Sequence, residues 1–121
     1  MAVCHENERP LLGLVGQLDW IMRGQISTML RHGFLTGKPG ECTYLPTVRG
    51  KRVLHLLLVG GGMNPDPGSR AGLHKESLTA LKRNLKSLGV EKMGVSLQDF
   101  GEHSEEFFEK EFKGISVCVV N

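Results

Sequence analysis

Apolar residues along this chain fall into two kinds of run. Leu18, Ile21, Met22, Ile26, Met29 and Leu30 share one arc at about 100° per residue, which predicts a helix over Leu18–Arg31, with Gly33 as its C-terminal cap. Leu78, Leu81, Leu85 and Leu88 mark a second helix, from about Leu73 to Leu88, stopped by Gly89. Lys51–Val59 is instead a near-continuous apolar run. It predicts a strand buried on both faces and ended by Gly60, Gly61 and Gly62. Glu41–Leu45 predicts a shorter strand stopped by Pro46. Val90–Leu97 and Ile115–Val120 read as strands. Glu102–Lys113 reads as a third helix, with Ser104 as N-cap and Phe108 and Phe112 at i, i+4. Residues 2–5 suit a short edge strand, Leu11–Val15 an apolar bridge closed by Gly16, and Met63–Gly72 a loop.

The resulting order is strand, helix, strand, strand, helix, strand, helix, strand. It predicts an α/β fold of three layers, a mixed and mostly parallel sheet flanked by helices. The segment 41–59 supplies one antiparallel hairpin, and the later crossovers should be parallel and right-handed. The whole chain, 1–121, reads as a single domain, long enough to bury its own core.

Composition narrows the function classes. A net charge of +2 makes no general case for nucleic acid or a membrane surface. The longest apolar run, Val53–Val59, falls far short of the roughly 20 residues that span a bilayer. The opening Met-Ala-Val-Cys-His-Glu has neither the basic start nor the long apolar stretch of a leader. Cys4, Cys42 and Cys118 are odd in number and far apart, with no CxxC pair. Reduced thiols and a cytoplasmic location are therefore expected.

One ordered set of segments carries a resemblance. It comprises Gly24-Gln-Ile-Ser-Thr-Met-Leu30, Phe34-Leu-Thr-Gly-Lys-Pro-Gly-Glu41, Tyr44-Leu-Pro-Thr47, Arg52-Val-Leu54 and Leu58-Val-Gly60. In this order, across about 90 residues, they resemble the N-terminal domain of the leucyl aminopeptidase family, peptidase family M17. The resemblance implies a fold similar to that of macro domains. It also implies a role in flanking the family's catalytic domain and organising its hexamer. Glu6-Asn-Glu-Arg-Pro-Leu11 and Leu18-Asp-Trp20 look like bacterial proteins that carry this domain alone. The family's catalytic domain holds two metal ions and carries an asparagine-threonine-aspartate-alanine-glutamate-glycine-arginine signature. Nothing like it occurs in these residues, whose only aspartates, Asp19, Asp66 and Asp99, lie in three separate regions. No catalytic residue, metal site or cofactor is therefore expected.

Two site hypotheses remain. In the first, Trp20, on the arc opposite the buried one and near Arg31, anchors a protein partner or a second copy of the chain. The structural alternative packs Trp20 under another segment of its own chain. In the second, Gly60, Gly61, Gly62 and Asn64 follow a buried strand, where α/β sheets bind ligands, and cradle ADP-ribose or a nucleotide in a binder or hydrolase of the macro-domain type. A bulky residue at Gly61 should then abolish binding without unfolding the protein. Strand-terminating glycines explain the same residues without a ligand. Thr36-Gly-Lys-Pro-Gly-Glu41 reads as a turn, with Lys38 solvated and Glu41 at the surface. His55 reads as a neutral, hydrogen-bonded core residue, and Cys42 and Cys118 as small buried hydrophobes. Cys4-His5 lack an orienting third group for nucleophilic chemistry. The basic Lys75, Lys82, Arg83 and Lys86 and the acidic Glu102, Glu105, Glu106, Glu109 and Glu111 read as solvated faces, with pairing between copies as the alternative.

Overall fold

A computed structural model describes residues 1–7, 11–63, 75–96 and 110–119. Among them the elements run β1 (Ala2–His5), α1 (Gly13–Ile21), α2 (Gln25–Arg31), β2 (Cys42–Arg49), β3 (Arg52–Gly62), α3 (Lys75–Leu88), β4 (Lys92–Val95) and β5 (Ser116–Val119). β3 lies between β1, to which it is parallel, and β2, to which it is antiparallel. β4 and β5 form a parallel pair. The N-terminal ammonium of Met1 donates to the Gly94 carbonyl at 2.9 Å, which brings the start of β1 against β4.

Strand alternation divides the core in two. Leu57 and Val59 join Val3, Met93 and Val95 against Leu81 and Leu85 of α3. Leu56 and Leu58 join Ala2 and Cys4 against Val15, Met22 and Ile26 of the α1–α2 side. The fold is thus the expected α/β arrangement, with helices on both faces of a mixed sheet. The third helix of the sequence reading lies almost wholly outside the described residues, which retain its end as Lys110 and Glu111.

Two expected boundaries and one expected burial are corrected. β2 does not stop at Pro46 but runs on to Arg49. The Glu41 carbonyl accepts the Gly60 N–H at 2.8 Å. Counting along the register from that bond, Pro46 faces His55 at a pair that exchanges no hydrogen bond. The amide proton that proline lacks would therefore point off the outer edge of β2, where none is needed. β3 continues through Gly62, and the three glycines belong to the strand. Only its second half is buried, so His55 is exposed rather than in the core. It keeps a polar partner: the Tyr44 hydroxyl lies 2.5 Å from its Nδ1, and the two rings stack.

The predicted helix Leu18–Arg31 is two helices, and the first begins at Gly13, inside the expected apolar bridge. The break is a Schellman turn. The Gly24 N–H reaches back to the Asp19 carbonyl at 2.8 Å, and the Arg23 N–H to that of Trp20 at 3.1 Å. The left-handed position, normally glycine, is held by Arg23 at φ 58°. Asp19 then caps the second helix. Its carboxylate accepts the Ser27 N–H at 3.0 Å and the Ser27 hydroxyl at 2.5 Å, satisfying a first-turn amide of α2. Gly33 and Gly89 close α2 and α3 as expected, both at positive φ.

Replacing Asp19 by Ala should lower the unfolding free energy by about 1–2 kcal/mol, because a helix cap is lost and Ser27 loses its acceptor. A urea titration reads this as a lower midpoint at unchanged slope.

Candidate functional site

The carboxyl ends of β1 and β3 form the part of the sheet where a ligand was expected. Three segments converge there. The first is the turn 36–41, shaped by its own last residue. The Glu41 carboxylate accepts the N–H groups of Thr36 and Gly37 at 3.1 and 3.0 Å and the Thr36 hydroxyl at 2.6 Å. Glu41 is therefore the clamp of the turn rather than a surface charge, whereas Lys38 is exposed as expected. The clamped turn lies across the glycines. The Gly62 N–H donates to the Gly37 carbonyl and the Gly60 N–H to the Glu41 carbonyl, both at 2.8 Å.

The second segment is α3. Ser77, fully buried, donates its hydroxyl to the Gly60 carbonyl at 2.5 Å and accepts the Gly40 N–H at 2.9 Å. The third is the end of β1. The Glu6 N–H donates to the Gly62 carbonyl at 3.0 Å, and Nδ1 of the buried His5 lies 3.3 Å from the same oxygen.

This packing gives each glycine a structural reason. A Cβ at Gly60 would stand 1.8 Å from the Lys38 carbonyl oxygen. One at Gly61 would stand 2.6 Å from the His5 ring and 2.8 Å from Val3. Gly37, at φ 81°, abuts the backbone of residues 4–6 in the same way. Of the proposed ligand residues the structure brings together Gly60, Gly61 and Gly62, with the N–H groups of Gly60 and Gly62 already engaged. Asn64 lies outside the described residues. The expectation that a bulky residue at Gly61 spares folding is corrected, because its side chain would enter the space of His5 and Val3.

The partner-binding pair fares differently. The expected packing of Trp20 under its own chain is overturned, since the side chain is 86% exposed on α1. Arg31, also exposed, donates to the Thr28 hydroxyl at 3.2 Å. The arc that placed it near Trp20 assumed one continuous helix, which the turn at Arg23 interrupts. Of the charged faces, Lys82 and Glu111 meet within the chain, and that hydrogen bond holds the Glu111 carboxyl below the usual carboxylate range.

The profile of the cytosol aminopeptidase family, N-terminal domain, matches residues 3–112. The chain belongs to this family. A probable cytosol aminopeptidase of Shewanella sediminis is 39% identical over 84 residues, which cover 67% of this chain and 16% of that protein. The cytosol aminopeptidase of Vibrio cholerae is 38% identical over 81 residues, with the same coverage on both sides. The chain thus spans about one sixth of the length of the curated relatives it matches. The aminopeptidase-like segment Thr36–Glu41 acquires a physical meaning here, as the clamped turn on the glycines.

Among the described residues, no three His, Cys, Asp or Glu side chains gather as a metal site would require. No described helix is long and apolar enough to cross a membrane. Cys4 and His5 point to opposite faces of β1, Cys4 into the α1–α2 core and His5 beside Gly61. Cys118 is exposed on β5, which corrects the buried expectation, and Cys42 is half-buried. Burial pushes the Cys42 thiol up, partly offset by the N-terminal ammonium.

Replacing Gly61 by Val should destabilise the fold by more than about 2 kcal/mol through overpacking, read as a lowered thermal midpoint with no ligand present. Alkylation followed by peptide mapping should label Cys118 first. Cys42 should lag and need more alkaline solution, because its thiol ionises later.

Proposed function

We propose that this domain acts in assembly or partner binding, without catalysis of its own, and that Trp20 is its contact anchor. The observation that carries the reading is the near-complete exposure of that indole on α1, whose other side is fixed to the sheet through Val15. A large aromatic held in water on a rigid helix loses apolar hydration on contact and little side-chain entropy. Ile21, the next residue, is partly exposed as well. Three free thiols fit a cytoplasmic setting. Binding of ADP-ribose or a nucleotide is the weaker reading, because two of the three glycine amides it would draw on are already bonded to carbonyls.

Self-association is the first case to test, by sedimentation equilibrium and by the fluorescence of the single tryptophan. Emission should shift to the blue as concentration rises. Trp20→Ala should weaken association by about 30-fold, the effect of a 2 kcal/mol hot spot, at an unchanged unfolding midpoint. An association constant that Trp20→Ala leaves unchanged overturns the role given to Trp20.

A further inference from the structure

The turn between α1 and α2 faces the tip of the β2–β3 hairpin across an open cavity of about 610 Å³. Ile21, Met22, Arg23, Thr47, Val48 and Gly50 line it. Ile21 is 41% and Val48 73% exposed, so the cavity offers apolar surface to solvent. Its polar chemistry is cationic. Arg23 is in the wall, and Lys51 and Arg52 follow Gly50 around the hairpin, all three exposed. None of the three has an ion pair among the described residues. Asp19, the nearest carboxylate in sequence, is bound to Ser27. The Thr47 hydroxyl oxygen, of a residue in the same wall, is buried with no hydrogen-bond partner among the described residues.

Arg23 adds a second, independent observation. It occupies the left-handed position of the Schellman turn at φ 58°, where a side chain costs about 1–2 kcal/mol relative to glycine. Backbone strain of this kind persists where the surroundings impose it, and it gathers at binding sites. Here the strained residue is also the cationic residue among those that line the cavity.

We infer that this cavity is a docking site for an acidic peptide segment of a partner protein, one in which carboxylates alternate with bulky apolar side chains. The inference deepens the assembly reading, on which it rests, by naming the partner's chemistry. Charge complementarity selects this occupant. The unpaired cations call for carboxylates, and the floor of Ile21, Met22 and Val48 calls for apolar side chains between them. Arg23 supplies planar paired donors that suit a carboxylate. A carboxylate in the cavity also gives the Thr47 hydroxyl an acceptor. Trp20, the single tryptophan and the neighbour of Ile21 in sequence, serves as the emission probe.

The test is titration of the full chain with a capped decapeptide of alternating glutamate and leucine, followed by calorimetry and by Trp20 emission. A glutamine–leucine peptide is the control. The acidic peptide should bind, and binding should weaken steeply between low and high salt. Arg23→Gly should weaken it tenfold or more. This variant suits the left-handed backbone better than arginine, so its unfolding midpoint should hold or rise. Lys51→Gln, at an exposed turn position, should weaken binding in the same direction. No binding by the wild type, equal binding of the glutamine peptide, or full affinity in Arg23→Gly each overturns the inference. Any of these results leaves the assembly reading standing if Trp20→Ala still weakens self-association. If Trp20→Ala is also without effect, both fall.

Discussion

The structure depends on the closure of the turn 36–41 over the glycine end of β3. Glu41 is the centre of that closure. Its carboxylate gathers two backbone amides and a hydroxyl of the turn, and its own carbonyl receives the Gly60 amide. A single residue therefore sets the turn's shape and its docking. Once the turn is in place, glycine is required at 60 and 61, because the Lys38 carbonyl and the His5 ring fill the positions that side chains would take. Ser77 extends the same network into α3 by bridging Gly60 and Gly40. Buried polar groups in such a network are costly to leave unpaired, so its members support one another. The end of the sheet that an α/β fold usually offers to ligands is here a packed junction of four chain segments.

Much of this architecture was legible in the sequence. The apolar run 53–59, the leucine spacing of α3 and the glycines at 33 and 89 announced a strand, a helix and two helix ends, and all stand in the structure. The illegible parts share a cause. Each involves a residue whose role is set by a distant partner rather than by local pattern. Pro46 looked like a strand end because its sequence does not say which way its missing N–H would point. His55 looked buried because its neighbours are apolar, yet burial along β3 begins only at Leu56. The break at Arg23 was missed because the signal for a left-handed helix end is glycine, and here the glycine comes one residue later.

The same holds for the site residues. Gly60, Gly61 and Gly62 were visible as unusual, but the sequence could not say whether a ligand or the chain itself occupies the space beside them. Ser77 drew no notice, and Asp19 none as a helix cap. Ser77 had one available signal: it lies one turn before Leu81 and two before Leu85, on the buried stripe. A hydroxyl on that stripe needs partners, and the glycine junction supplies them. Asp19 had none, because its partner Ser27 lies beyond a helix break that the sequence did not reveal.

These observations locate where binding energy is available. At the glycine junction the backbone groups are largely committed, so a ligand there would have to displace intramolecular hydrogen bonds and would gain little net energy. At the α1–α2 turn the reverse holds. Trp20, Ile21 and Val48 keep apolar surface in water, and Arg23 has a strained backbone and a charge with no ion pair among the described residues. A partner arriving there removes water from apolar surface and pairs a charge, without breaking any hydrogen bond seen at the site. The free energy to be gained by contact lies at the helix break rather than at the glycines.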